Sequence, residues 1–337
     1  MTEIYMIRHA EAEGNLYRRM HGQYDSLLTP RGYRQIEDLA GRFESVHIDA
    51  VYSSDLFRAR ETARALYERK KLPLILEPRL RELHFGIWED MPFGEILHSE
   101  GERWQLFEFD PWRWSVEGAE TMEAVRARVT EAILDIAAKN DGGTVALFTH
   151  GCAIRAFFCG VLGVTTPDGL DRIPYVWNTA VTRLICDGGV TIDYSGDASH
   201  IRSGLEMSGR DRRDRVLDGI TQTHHVRYAH GESKSGKTLY RALLGDTPAG
   251  VLELDTERGA GRGEGWITGY EINEALRGFG LGVQLLGQAI SHYRAIGREK
   301  LCLAPESAEA AEFFIYHGFK GSGESAAPAL EKSIAVR

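Results

Sequence analysis

Ile4-Tyr5-Met6-Ile7-Arg8-His9 is a short apolar run closed by a guanidinium and an imidazole, and Val145-Ala146-Leu147-Phe148-Thr149-His150-Gly151 repeats that arrangement far downstream. Continuous apolar runs of this length, bounded by polar residues, predict strands buried on both faces, here over Ile4–Ile7 and Thr144–Phe148. Between them lie amphipathic helices with start signals. Thr29-Pro30 is an N-cap followed by proline at the first helical position, and Ile36, Leu39, Ala40 and Phe43 follow at helical spacing. Thr121 opens a second helix with Val125, Val129, Ala132, Ile133 and Ile136 on one face. A third follows His150-Gly151, with Ile154, Phe157, Phe158, Val161 and Leu162 aligned. Strands alternating with helices up to about Gly163 predict a parallel α/β sheet. In such a sheet both histidines emerge at the carboxyl edge of the strands, where ligands bind.

A lone histidine is more often a satisfied core residue than a catalyst. These two keep cationic company: Arg8 adjoins His9, and Arg58 lies in Ser53-Ser54-Asp55-Leu56-Phe57-Arg58-Ala59-Arg60-Glu61-Thr62-Ala63, a serine-capped helix start whose N–H groups favour an anion. Glu82, in Leu80-Arg81-Glu82-Leu83-His84-Phe85-Gly86, adds a carboxylate. The aromatic cluster Trp104, Phe107, Phe109, Trp112 and Trp114 fits either a lid over that edge or lid core.

The 337 residues suggest two domains at about 150 residues each. With 43% hydrophobic and 26% charged residues there is material for two cores, so a disordered or fibrous chain is excluded. A net charge of −9 argues against nucleic acid as the main partner. No apolar run approaches the ~18 residues that span a bilayer. Met1-Thr2-Glu3 enters the first strand without an export leader, so a cytoplasmic protein is expected, with its four cysteines, none in CxxC spacing, as reduced thiols. The mixed-charge run Ser208–Arg215 predicts a linker over about residues 196–219, with domains at 1–204 and 205–337. Beyond it, Leu239–Leu244, Val251–Leu254, Ile267–Ile272 and Lys300–Leu303 look like strands, with a helix over Gly282–Ala295 between the last two.

Arg8-His9-Ala10-Glu11, Asn15, Gly22, Leu28-Thr29, Gly32, Ser53-Ser54, Arg58-Ala59, Thr62-Ala63, Glu82, Phe85-Gly86 and His150-Gly151 together resemble the histidine phosphatase superfamily, which includes the phosphoglycerate mutases, over about residues 2–163. Gly118-Ala119-Glu120-Thr121 looks like the family's Gly-Gly-Glu-Ser segment; Ala10 and Ala12 depart from its commoner residues without removing a catalytic group. The resemblance implies a three-layer α/β/α phosphoglycerate mutase-like domain and a metal-independent phosphomonoesterase working through a phosphohistidine. His9 is then the nucleophile, kept neutral by its arginines. Arg8, Asn15, Arg58, protonated His150 and Gly151 hold the phosphoryl group. Glu82 is the general acid and base. A phosphoglycerate-type mutase stays open as the alternative. The direct passage from Glu82 into Met91-Pro92-Phe93-Gly94-Glu95, without extra cap sequence, favours the phosphatase branch.

Two phosphate-binding patterns compete in the second half. Gly231-Glu232-Ser233-Lys234-Ser235-Gly236-Lys237-Thr238 satisfies GxxxxGK[ST], but a P-loop needs a buried strand before it and a helix after it. Here the upstream stretch is polar, and Thr238–Leu244 runs to Gly245-Asp246 and then Val251–Leu254, a hairpin pattern; a polar loop is the expected state of residues 231–238. The other pattern, Arg277-Gly278-Phe279-Gly280-Leu281-Gly282, sits between a strand and a helix. With Arg298–Leu303, Ala310, Phe313 and Gly318-Phe319 it resembles the GNAT acetyltransferase superfamily over 267–319. That implies a mixed α/β domain, acetyl-CoA or another acyl-CoA as cosubstrate held by residues 277–282, and a bifunctional chain with N-acetyltransferase activity. Phe314 stands where the family commonly has a tyrosine that protonates the leaving thiolate, with Tyr316 two residues on, and Ser307 stands where asparagine is common. A non-catalytic acyl-CoA-sensing or docking module is therefore the alternative for this half.

Overall fold

Alternate residues of the first strand part to opposite sides of a sheet, and that period of two builds the layers. The computed structural model describes residues 1–174, 176–202, 225–322 and 329–336. Its contacts divide the chain into two compact units. The first unit comprises Met1–Ala12, His21–Glu89 and the described residues from Gly101 to Arg202. The second gathers Glu13–Met20, Asp90–Glu100 and the described residues from 225 onward. The linker run Ser208–Arg215 and the expected boundary near residue 205 lie outside the described residues.

The first unit's sheet has the order β3-β2-β4-β1-β5-β6, with β1 Thr2–Arg8, β2 Ala50–Ser53, β3 Leu74–Leu76, β4 Thr144–Thr149, β5 Val181–Cys186 and β6 Val190–Asp197. The first four are mutually parallel, as expected, but β5 and β6 add antiparallel strands, so the sheet is mixed. Ile7, Ala146 and Phe148 pack with α2 (Pro30–Arg42) and α3 (Phe57–Lys70) in one core. Ile4, Met6, Val145 and Leu147 are equally buried and alternate with them, which places them on the other face. On that side α6 (Met122–Lys139) packs against β1 and against α7 (Gly151–Val161). Thr29 and Thr121 cap as the sequence predicts, whereas α3 has Leu56 at its N-cap with no side-chain cap bond, so the serine cap expected from Ser53-Ser54 does not form. Thr29 Oγ1 accepts the Gly32 N–H at 3.0 Å and Thr121 Oγ1 the Ala124 N–H at 3.1 Å. Trp104 and Trp114, on and after α5 (Gly101–Phe109), are buried against Trp88, and Trp114 also against Phe85, so these two tryptophans are core; Phe109 is exposed.

The second unit's sheet runs β12-β13-β11-β10-β9-β8-β7: β7 Arg227–Glu232, β8 Thr238–Leu244, β9 Thr247–Asp255, β10 Glu264–Ile272, β11 Lys300–Leu303, β12 Lys320–Gly321 and β13 Leu330–Ser333. All pairs are antiparallel except β10–β11, which α8 (Leu281–Ala295) joins as a crossover. Leu285, Leu286, Ala289, Ile290 and Tyr293 of α8 pack on Leu252, Leu254 and Ile267 of the sheet, together with Phe314 of α9 (Ala308–Tyr316). Two short helices complete the unit, α1 (Glu13–Tyr17), whose Tyr17 enters this core, and α4 (Phe93–Ser99), which packs on β7. Among the described residues no helix is long and apolar enough to cross a membrane.

The apparent P-loop is a β-hairpin. Glu232 pairs with Thr238, Ser233 N–H donates to the Lys237 carbonyl at 2.8 Å, and Gly236 takes φ +76°. The loop expected over residues 231–238 is thus a tight turn joining β7 to β8, and β7 is a strand that the polar sequence hid. Lys237 Nζ lies 3.3 Å from a Glu253 carboxylate oxygen, both partly exposed. Such a pair contributes under about 1 kcal/mol, so Lys237→Ala should leave thermal stability and ATP binding unchanged. A loss of measurable ATP binding in calorimetry would restore the P-loop reading.

Candidate functional site

The parallel register Arg8↔Thr149 continues one residue further on each chain, so His9 and His150 leave the sheet side by side. Their ring centroids are 5.2 Å apart. His9 Nδ1 lies 2.7 Å from the Ala10 carbonyl, an acceptor only, so Nδ1 carries the proton and Nε2 the lone pair. The Asn178 side-chain amide donates to the His9 carbonyl at 2.9 Å, and the Thr179 N–H donates to the Arg8 carbonyl at 3.0 Å. Thr179 does so from φ +58°, a left-handed conformation that costs a β-branched residue strain. Thr62 Oγ1 accepts the Ala10 N–H at 2.9 Å. The backbone on both sides of the imidazole is therefore tied down.

Two guanidinium groups converge on the same edge. Arg8 Nη1 donates to the Val176 carbonyl at 2.7 Å, and the guanidinium lies beside Gly151, where an added Cβ would meet its Cζ at 3.4 Å, an ordinary contact. Arg58, buried in the first turn of α3, donates to the carbonyls of Gly22 and Tyr24 at 2.5 and 3.3 Å. Burial, then the charges of Arg58 and Arg8, holds the His9 imidazole well below its ordinary value, so it is neutral. Burial, then Arg58, also pushes the His150 imidazole well below its ordinary value. The imidazolium read from the sequence at His150 therefore requires an added anion to draw the proton. His150 Nε2 lies 2.8 Å from Ser54 Oγ, while its Nδ1 is buried with no hydrogen-bond partner among the described residues.

Glu82 arrives from a coil segment and docks on the start of α7. Its Oε1 accepts the N–H groups of Leu83 and Ala153, both at 2.9 Å, and its Oε2 accepts that of Cys152 at 3.1 Å. Since His150 caps the same helix, the carboxylate and this imidazole share one rigid frame. Of the residues expected here, Arg8, His9, Arg58, Glu82, His150 and Gly151 belong to the first unit, and all lie at or beside this edge. Asn15 lies on α1, whose contacts are with the second unit. Ser54, Asn178 and Thr179 carry geometry that the sequence reading had not assigned. Ser54 was within its reach, because it follows β2 as His9 follows β1; Asn178 and Thr179 sit in a loop with no pattern.

In the second unit, Gly278 and Gly280 take φ +81° and +75°, Gly280 is the N-cap of α8 with no side-chain cap, and the Arg277–Gly280 turn is exposed. Ladder pairing of β10 with β11 ends at Ile267↔Leu303, where β11 ends, and β10 carries a bulge against β9 between Ile267 and Gly269. Tyr270 on β10 hydrogen-bonds the Gly282 carbonyl through its hydroxyl. Phe314 is buried against Tyr270, with ring centroids 5.0 Å apart, and Tyr316 is 66% exposed. Position 314 is thus a packing position. Ser307 caps α9, accepting the Ala310 N–H at 3.1 Å.

Residues 4–193 match the family described as histidine phosphatase superfamily (branch 1), and residues 210–319 match the acetyltransferase (GNAT) family. The chain belongs to the histidine phosphatase superfamily and carries a GNAT-family domain after it. It is 32% identical to phosphoserine phosphatase 1 of Hydrogenobacter thermophilus over 164 residues, 49% of this chain and 78% of that one. It is 30% identical to a protein of Enterobacter sp. named "Probable phosphoglycerate mutase GpmB" over 208 residues, 60% of this chain and 95% of the other. Among solved structures, YhfR of Bacillus stearothermophilus superposes with a TM-score of 0.57 at 33% identity, covering 60% of this chain and all, 100%, of that one.

Proposed function

We propose that the first unit is a metal-independent phosphomonoesterase for a small phosphorylated metabolite, acting through a phosphohistidine on His9. The observation that carries this reading is a neutral His9, with Nε2 as its basic nitrogen, set between two buried guanidinium groups at a strand edge. Nε2 attacks phosphorus in line. Arg8 and Arg58 take up the charge on the equatorial oxygens, and His150 gains its proton as the dianion enters. Glu82 protonates the leaving alkoxide and then takes a proton from the water that cleaves the phosphohistidine. The arginines supply the positive charge, so no metal is called for.

The similarity to a phosphoserine phosphatase makes phosphoserine the first substrate to test, and the similarity to a mutase-named protein makes 3-phosphoglycerate the second. Inorganic phosphate released from either, in the presence of EDTA, supports the phosphatase. Formation of 2-phosphoglycerate from 3-phosphoglycerate without phosphate release would make the enzyme a mutase. Loss of activity in EDTA, restored by a divalent metal, would defeat the mechanism.

For the second unit, the exposed turn Arg277, Gly278, Phe279 and Gly280, running into Leu281 and Gly282 at the uncapped start of α8, together with the GNAT family match, supports a pyrophosphate cradle for an acyl-CoA. Phe314 gives no proton to a thiolate, so acyl transfer here needs another donor. Gly280→Asp combined with Gly282→Asp puts two carboxylates at the cradle and should weaken acetyl-CoA binding by at least about tenfold, as measured by isothermal titration. No binding of acetyl-CoA to the unaltered chain at millimolar concentration would remove this reading.

A further inference from the structure

The coil that carries Glu82 has no sheet partner, and one side chain on α6 bonds three of the carbonyls around it. Arg128 Nη1 donates to the carbonyls of Arg79 and Arg81 at 2.8 and 2.7 Å, and Nη2 to that of Glu82 itself at 2.9 Å. The other edge of the same guanidinium makes a fork to Glu120, with Nε to Oε1 at 2.9 Å and Nη2 to Oε2 at 2.8 Å. Glu120 closes the frame by accepting the His84 N–H at 2.9 Å through Oε2. Gln23 adds a donor to the Glu82 carbonyl at 3.0 Å. A planar guanidinium thus spans residues 79, 81 and 82 while its carboxylate partner holds residue 84. The main chain on both sides of Glu82 is clamped from one plane.

We infer that Arg128 is a positioning residue for catalysis: with Glu120 it sets the backbone of Glu82 so that the carboxyl group stands where it delivers a proton to the leaving oxygen. This rests on the reading of Glu82 as general acid. Only arginine has the donors for three carbonyls and a bidentate carboxylate at once; lysine keeps the charge and loses the fork. Loosening by about an ångström would cost proton transfer far more than phosphoryl binding, because donor and acceptor must stay within hydrogen-bond reach.

The test compares Arg128→Lys, Arg128→Met and Glu120→Gln on phosphoserine, a poor leaving group, and p-nitrophenyl phosphate, a good one. Each variant should lower kcat/KM on the alkyl ester about tenfold or more, and lower kcat/KM on the aryl ester much less, since kcat/KM reports the step that forms the phosphohistidine. In a Glu82→Gln background the Arg128 substitutions should then add no further selectivity. Arg128→Lys, which keeps the buried-edge cation, and Glu120→Gln, which keeps the shape, carry the test if Arg128→Met does not fold. Equal slowing of both esters, or the same added selectivity in the Glu82→Gln background, overturns the inference. If Glu82→Gln alone shows no leaving-group selectivity, the general-acid reading fails first and the role of Arg128 falls with it.

Discussion

His9→Ala is expected to abolish phosphate release, by about 10⁴-fold or more, and to abolish acid-labile labelling of the chain by a ³²P-phosphomonoester. Losses of that size are typical when the group that forms a covalent intermediate is removed. Alanine leaves the guanidinium groups in place, so substrate binding should persist while the intermediate cannot form. Phosphate release that survives in His9→Ala, or label retained in it, would move the nucleophile elsewhere. The same geometry sets a pH dependence with a definite sign. Protonation of His9 removes the attacking lone pair, and burial with Arg58 and Arg8 disfavours that proton. The acid limb of kcat/KM should therefore lie well below the ordinary imidazole value of about 6.5. Arg58→Met should move that limb upward; a limb that stays in place would mean that it does not report His9.

The strand edge that gathers the candidate site was legible because its information is local. An apolar run followed by Arg-His or His-Gly encodes a strand end and the group presented there, and two such ends meet because parallel register aligns them. Ser53-Ser54 obeys the same rule at β2, yet a serine is so common after a strand that nothing marked Ser54 as the partner of His150. Asn178 and Thr179 could not be read, since the loop before β5 has no periodicity and a left-handed threonine has no sequence signature. The antiparallel strands β5 and β6 were hidden for a related reason. Val181–Cys186 interleaves buried and half-buried positions, and the parallel α/β pattern had already accounted for the sheet. In the second unit β8 to β11 were visible from their apolar runs, whereas the short β12 and β13, without apolar runs, did not stand out. Nor did β7, because Arg227–Glu232 has polar residues on an edge strand. Its tight turn decided the P-loop question: Gly236 supplies a positive φ where a phosphate cradle would have needed a strand-to-helix loop.

Glu82→Gln should lower kcat/KM for alkyl phosphates by about 10² to 10⁴ while lowering that for p-nitrophenyl phosphate by far less, since kcat/KM reports transfer to His9 and a nitrophenolate leaves with little need of a proton. The carboxyl group's surroundings indicate which oxygen acts. Oε1 is occupied by two N–H donors, those of Leu83 and Ala153, whereas Oε2 meets only the longer 3.1 Å contact from Cys152. A proton on Oε2 therefore displaces the least, and this oxygen is the one assigned to hand it to the leaving group. Glutamine keeps the acceptor toward Leu83 and Ala153 when its carbonyl takes the Oε1 place, but its NH₂ then opposes the Cys152 N–H and has no acidic proton to give. The second half-reaction adds a separate signature. Hydrolysis of the phosphohistidine needs the carboxylate as a base whichever ester was cleaved, so the variant should accumulate phosphoenzyme on p-nitrophenyl phosphate, visible as a burst of nitrophenolate ahead of phosphate release. Equal slowing of both esters without a burst would reduce Glu82 to a structural ligand of the α7 N-terminus. A burst without selectivity would leave it a base for water but not the acid for the leaving group.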